Sequence, residues 1–246
     1  MILLLLALLA QDRGTLTLTT RSKDSAVAWT AKGARVDLVL EALPSDDEIA
    51  KLAAKGIRVI VELHRKHDRV DDLCAKLDAG CCVDLCSCDL PPADVCRLGK
   101  RKGRARVCAA GYSADDVRAM AAAGVIVRLA KLAEVPAGAA AEVWSEDLKP
   151  EELRALGSNV TLVTERRSYF ASHLKAAVKN GASIRFATNA YHVSDIKALA
   201  EAGRGRVLAI GNQYAVSEIK ALLDGGIDVA ITCERPERDV QAILER

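Results

Sequence analysis

The chain has 246 residues, 50% of them apolar and 28% charged, with a formal net charge of +2. That length is ample for a buried core, and the charge balance excludes a strongly polycationic nucleic-acid binder or an acidic solvating tail. Aromatics at 3% argue against a stacking platform for single-stranded nucleic acid, and the apolar content excludes a disordered chain.

Residues 2–9 read Ile-Leu-Leu-Leu-Leu-Ala-Leu-Leu. Such a run is too short to span a bilayer, which takes about 20 residues. It suits the apolar region of a secretory signal over residues 1–11, with Ala10 as the cleavage residue. Against it, no Lys or Arg precedes the run and Leu8 is large for its position. The expectation is an exported chain, or a cytoplasmic one if the run is instead a buried strand or helix. No second long apolar stretch follows, so no membrane span is expected beyond it.

From residue 12 to 246 one short pattern recurs, which predicts a single repeat domain. A polar or acidic opening leads into aliphatic pairs three apart: Ile49/Leu52, Val95/Leu98, Val117/Met120, Leu153/Leu156, Ile196/Leu199, Ile219/Leu222 and Val240/Ile243. That spacing puts both side chains on one face of a short helix. Ser45, Ser113, Ser194 and Ser217 read as helix starts and Pro236 as a first-turn residue. A glycine tends to close each helix, at Gly56, Gly80, Gly124, Gly157, Gly181, Gly203 and Gly226. Strand-like runs follow, at Val36–Leu40, Val59–Leu63, Val83–Cys88, Ala105–Ala109, Val125–Leu129, Ala141–Trp144, Val160–Thr164, Ile184–Ala187, Val207–Ile210 and Ile227–Ile231, with Leu16–Thr20 as an eleventh. Their starts lie about 21 residues apart on average, and a helix between strands makes every strand parallel to the last. The pattern is weakest near 130–150, where a helix is shortened or lost.

A closed eightfold barrel spends about 250 residues on eight units, whereas leucine-rich solenoids use about 20–29 per unit. Period and strand count therefore predict an α/β fold that is an open right-handed solenoid of about ten short strand-helix repeats. A closed β/α barrel is the alternative. Runs such as Arg58–Leu63 and Arg206–Ile210 are apolar on both faces, as in a sheet covered on both sides. In a solenoid Ile60, Ile126, Val163, Leu208 and Ile210 would need a partner.

Val83-Asp-Leu-Cys-Ser-Cys-Asp-Leu90, and more loosely Ile184-x-Phe186-x-x-Asn189 and Val207-x-Ala209-x-x-Asn212, carry the Leu-x-Leu-x-x-Asn/Cys-x-Leu pattern. On these residues the chain resembles leucine-rich repeat proteins of the ribonuclease-inhibitor-like kind. The resemblance implies a non-enzymatic scaffold that binds an unidentified protein partner on its concave strand face. The expected binding positions are Asp37, Ile60, Asp84, Arg106, Glu142, Arg185, Leu208 and Asp228, with no catalytic residue, cofactor or metal. A second resemblance supports the alternative. Gly226–Glu237, Glu62 and Ser87-Cys88-Asp89 look like strands of glycerophosphodiester phosphodiesterases. That implies a barrel hydrolase acting around Glu62, His64, Asp89, Glu165, Asn189 and Asn212. The His-Arg-Gly opening and Glu-x-Asp metal pair of that family are missing, and Cys233 replaces its usual acid.

Six of the eight cysteines fall within residues 74–96. Cys86 and Cys88 share a strand face, where thiolates could hold a soft metal, but the bland reading is small buried hydrophobes. If the chain is exported, a disulfide within the cluster is open, its pairing undetermined. His64, His67, His173 and His192 read as surface residues. The basic run at 97–106 reads as a solvated face, and Gly203-Arg-Gly-Arg precedes a strand and so is no phosphate loop.

Overall fold

The computed structural model describes residues 14–64, 69–86, 90–203, 205–232 and 235–245. The secretory-signal segment, Asp89, Cys88, His67 and Cys233 lie outside the described residues. Among the described residues no helix is long and apolar enough to cross a membrane.

Strands and helices alternate in two compact units. The first, Thr19–Trp144, takes in the end of β1 (Leu16–Thr20), then α1 (Lys23–Ala31), β2 (Arg35–Leu40), α2 (Asp46–Ala54), β3 (Ile57–Leu63), α3 (Val70–Asp78), β4 (Cys82–Leu85), α4 (Pro92–Gly99), β5 (Ala105–Cys108), α5 (Ala114–Ala122), β6 (Ile126–Leu129) and β7 (Ala141–Trp144). The second is Ser145–Arg246 with the start of β1. It carries α6 (Pro150–Ala155), β8 (Val160–Thr164), α7 (Ala171–Lys179), β9 (Ser183–Phe186), α8 (Val193–Ala200), β10 (Val207–Ile210), α9 (Val216–Asp224), β11 (Asp228–Thr232) and α10 (Glu237–Leu244). Between β6 and β7 stands only a 3-10 turn, Leu132–Glu134, so the weak stretch is a lost helix.

Hydrogen bonding orders the strands β1-β11-β10-β9-β8-β7-β6-β5-β4-β3-β2 as a closed barrel. The open solenoid and the leucine-rich repeat resemblance are thereby overturned. The repeat length misled for a physical reason. It sets how tall each stave is, since helices of six to nine residues match strands of four to seven. It does not set how many staves close a ring. The both-face apolar runs were the better signal, because Val163 is 1% exposed and Ile60, Ile126, Leu208 and Ile210 are half-buried.

In the first unit β2 to β7 pair in chain order, all parallel. Val36, Leu38, Val59, Val61, Val83, Leu85, Val107, Val127 and Val143 are buried at alternate positions. They share the helical side with the three-apart pairs Ile49/Leu52, Val95/Leu98 and Val117/Met120, which are buried too. Each such side chain contributes about 1.5–3 kcal/mol, so this side carries the core. Ser45 and Ser113 cap α2 and α5, accepting from Glu48 N and Asp116 N at 3.2 Å. Gly56 follows the end of α2 with φ of +79°, a backbone that L side chains rarely adopt.

The second unit repeats the scheme over β8 to β11, and Thr15 ties the start of β1 to it, its N–H on Asp228 Oδ1 at 2.7 Å and its carbonyl accepting from Val229 N at 2.9 Å. Ser194 and Ser217 are not the caps expected. The caps lie two residues earlier, at His192 and Ala215, and Glu218 reaches back to accept from Ala215 N at 2.7 Å.

All four tyrosines of the chain stand in one place in the repeat, just before a helix cap, and each reaches back to a carbonyl of the preceding repeat. Tyr169 donates to Ser145 O at 2.9 Å, Tyr191 to Tyr169 O at 3.2 Å and Tyr214 to Tyr191 O at 2.9 Å. In the first unit Tyr112 donates to Leu90 O at 2.8 Å. Burial, with Glu218 adding to it, pushes the Tyr214 phenol up to about 12. An unfolded tyrosine titrates near 10. The folded chain therefore holds this proton more tightly, and the stability it contributes is full below about pH 10 and lost as pH rises through about 12. A phenolate absorbance titration is expected to show Tyr214→Phe losing amplitude near pH 12 and keeping that near pH 10; a variant that loses amplitude near pH 10 would contradict the shift.

Candidate functional site

Alternation along β2–β7 turns Asp37, Arg58, Ile60, Glu62, Cys82, Asp84, Arg106, Cys108, Arg128 and Glu142 to the face away from the helices. Register sets them in rows. One row reads Glu62, Asp84, Arg106, Ile126, and the next towards the carboxyl ends reads Cys108, Arg128, Glu142. Within these rows four charges close on one another. Asp84 Oδ2 accepts from Arg128 Nη2 at 2.5 Å and Arg106 Nη1 at 3.4 Å, while Glu142 receives Arg128 Nε and pairs with Arg106 Nε, both at 3.4 Å. The Asp84 and Glu142 side chains are each 6% exposed. Two carboxylates against two guanidiniums leave the cluster neutral, which lets it stay buried. Burial works against the Arg128 charge, but Asp84 and Glu142 outweigh it and hold its pKa above the ordinary value. Asp84 Oδ1 is buried and makes no hydrogen bond among the described residues.

Next to this cluster, at the carboxyl ends of β4–β7, opens a cleft of about 490 Å³. Its wall is mostly apolar, from Cys86, Cys108, Leu129, Trp144 and the alanines 109, 110 and 130, with Arg128 and Glu134 as its charged members. Trp144 is 39% exposed, one of two large apolar side chains so open among the described residues. Glu134 is exposed on the 3-10 turn, whereas the Arg128 side chain is 22% exposed and tethered from below. The Cys86 thiol is pushed up by burial and then by Asp84, against the pull of Arg128, so it is not an activated nucleophile.

Asp84, Arg106 and Glu142 of the expected binding positions thus meet in one network. Asp37 is 6% exposed and holds Arg58 through two hydrogen bonds, one of 2.8 Å from Arg58 Nε. Ile60 pairs in register with Cys82. Arg185, Leu208 and Asp228 form a row in the second unit. Asp37, Asp84 and Glu142 are buried and ion-paired, and the leucine-rich docking scaffold that these positions were expected to serve is overturned by the closed barrel. Sequence reasoning missed Arg58 and Arg128, which complete the pairs, and Trp144 and Cys108, which line the cleft. The signal was available for Arg58, 21 residues or one repeat from Asp37, but not for Arg128, which lies 44 residues from Asp84 and 14 from Glu142.

The described residues of the hydrolase alternative fall in both units, Glu62 and His64 in the first and Glu165, Asn189 and Asn212 in the second. Glu62 takes Arg21 Nη2 at 3.1 Å and lies 3.8 Å from His64 Nε2, with Glu41 on the same arginine. Asn212 is spent on Thr232, at 2.8 Å to its Oγ1 and 2.7 Å to its N. Thr188 donates to the Glu165 carbonyl, and Asn189 N to Gln213 Oε1 at 3.5 Å. Among the described residues no three His, Cys, Asp or Glu side chains gather as a metal ion needs, so no metal-assisted step is derived. Within the basic run Arg97 pairs with Asp71 and Asp94, and Arg101 with Asp78 at 3.1 Å.

No family model and no curated protein matches the sequence. Among solved structures, the chain is similar to an HpcH/HpaI aldolase from Desulfitobacterium hafniense, at 12% identity over 97% of this chain and 93% of that one, with a TM-score of 0.41. It is similar also to a fructose-bisphosphate aldolase from Campylobacter jejuni, at 13% identity over 95% and 75%, with a TM-score of 0.37. Neither likeness carries substrate or chemistry to this chain.

Proposed function

We propose that this β/α-barrel chain binds a small molecule in the cleft at the carboxyl ends of β4–β7. The ligand has an aromatic or aliphatic body and a head that accepts hydrogen bonds, a carboxylate by preference. The observation that supports this is the pairing of an exposed Trp144 with a tethered Arg128 in one mostly apolar cleft of about 490 Å³. That volume is in the range of small-molecule sites, which combine apolar walls with a few fixed polar groups. The carboxyl ends of the strands are also where ligands bind in this architecture. Arg128 is fixed by Asp84 and Glu142 before any ligand arrives, so little side-chain entropy remains to be lost on binding. Trp144 and Leu129 offer flat and aliphatic surface to the body.

Calorimetric titration with 2-naphthoate, 2-naphthamide and 2-naphthylmethylammonium tests this. The expected order is naphthoate tightest and the ammonium compound weakest, with at least about a tenfold spread, or about 1.4 kcal/mol. Trp144→Ala is expected to weaken all three ligands by removing the body's contact. Equal affinity for the three heads, or binding untouched by Trp144→Ala, would refute the reading.

A further inference from the structure

Two thiols line the same wall of the cleft. β4 and β5 pair with Leu85 opposite Val107, and Cys86 and Cys108 are the next residues on each strand. Cys86 N donates to Leu63 O on β3 and Ala109 N to Arg128 O on β6, each at 2.9 Å, so each strand keeps its pairing with its outer neighbour just past the Leu85–Val107 pair of β4 and β5. The side chains at 86 and 108 therefore leave neighbouring strands at one level, on one face, about 4.8 Å apart at the backbone. Both are half-buried, both line the cleft, and neither is in a disulfide. Arg128 follows Cys108 in the row and hydrogen-bonds Cys86.

We propose that Cys86 and Cys108 form a two-coordinate site for a soft monovalent metal ion of the Cu(I) or Ag(I) class. Thiolates select such ions, and a linear S–metal–S unit suits two side chains rising in parallel from adjacent strands. The balance is simple: the ion binds, two S–H protons leave, and no electron moves. The product, one ion with two thiolates, carries a net charge of −1, and Arg128 donates a hydrogen bond to its Cys86 thiolate while staying paired with Asp84 and Glu142. Small walls at Ala109 and Ala110 leave the ion reachable from the cleft. The inference holds whether or not an organic ligand binds there.

Alkylation mapping on the unmodified, fully reduced chain provides the test. N-ethylmaleimide labelling is followed at each cysteine by mass spectrometry, with and without one equivalent of Ag(I), without oxygen. Cys86 and Cys108 are expected to be protected together, each slowing at least tenfold, while Cys82 and Cys96 keep their rates. Cys86→Ser is expected to release Cys108 from that protection, and Cys96→Ser to change nothing. Protection of other cysteines, of only one of the pair, or of Cys108 in Cys86→Ser as in the parent, would overturn the assignment.

Discussion

Replacing Asp84 by alanine is expected to lower the unfolding free energy by about 3–5 kcal/mol, the range for stripping one partner from a buried ion pair. Asp84 is the acceptor that Arg106 and Arg128 share, and its removal leaves two guanidiniums facing Glu142 alone. Much of the loss comes from this surplus charge rather than from missing contacts. The double variant Asp84→Ala, Arg106→Met is therefore expected to be more stable than Asp84→Ala alone, because charge balance returns with the packing of the stem kept. Urea unfolding of the parent, both single variants and the double variant measures the coupling. If the double variant loses the sum of the two singles, the four groups do not act as one network.

Tyr191→Phe is expected to cost about 2–3 kcal/mol, although only one oxygen is removed. That hydroxyl accepts from Tyr169 N at 3.1 Å and lies 3.2 Å from Tyr169 O, to which it donates. Tyr191 is 2% exposed and Tyr169 6%. The phenylalanine leaves a buried N–H and a buried carbonyl without this partner, and such orphaned groups cost about 1–3 kcal/mol each. Tyr112→Phe, which removes a hydroxyl that donates to the Leu90 carbonyl at a half-buried position, is expected to cost about 1 kcal/mol. Thermal unfolding of the two variants side by side gives the comparison. Equal losses would show that the double engagement at Tyr191 carries no extra weight.

Much of the architecture was legible locally. Strands Leu16–Thr20, Ala141–Trp144, Val160–Thr164 and Val207–Ile210 fall where alternation and β-branching put them. The lost helix near 130–150 was visible as a run without aliphatic pairs. Closure was not legible from the period, because neighbouring repeats look alike whether the array bends back on itself or stays open. The Cys and Asn positions at 86, 189 and 212 imitated a leucine-rich ladder. In the structure Asn212 secures the end of β11, and Cys86 lines a cleft.

The candidate site was half legible. Asp84, Arg106 and Glu142 could be assigned to one face by counting in twos, yet their mutual pairing depends on register between strands 14 to 44 residues apart. Trp144 reads in sequence as the last apolar residue of a strand. Its exposure follows from its place at the carboxyl end of β7, on the face away from the helices, where the cleft opens. The tyrosine series was readable and missed, since Tyr169, Tyr191 and Tyr214 recur at the repeat length.

The chain's two tryptophans give the decisive measurement. Trp29 is 6% exposed on α1 and Trp144 is 39% exposed in the cleft, so their indole N–H resonances report separately on the core and the site. On titration with 2-naphthoate, the account predicts that the Trp144 resonance shifts and saturates while that of Trp29 stays in place. A Trp144 resonance that stays fixed at saturating naphthoate, or one that moves only together with that of Trp29, would contradict it.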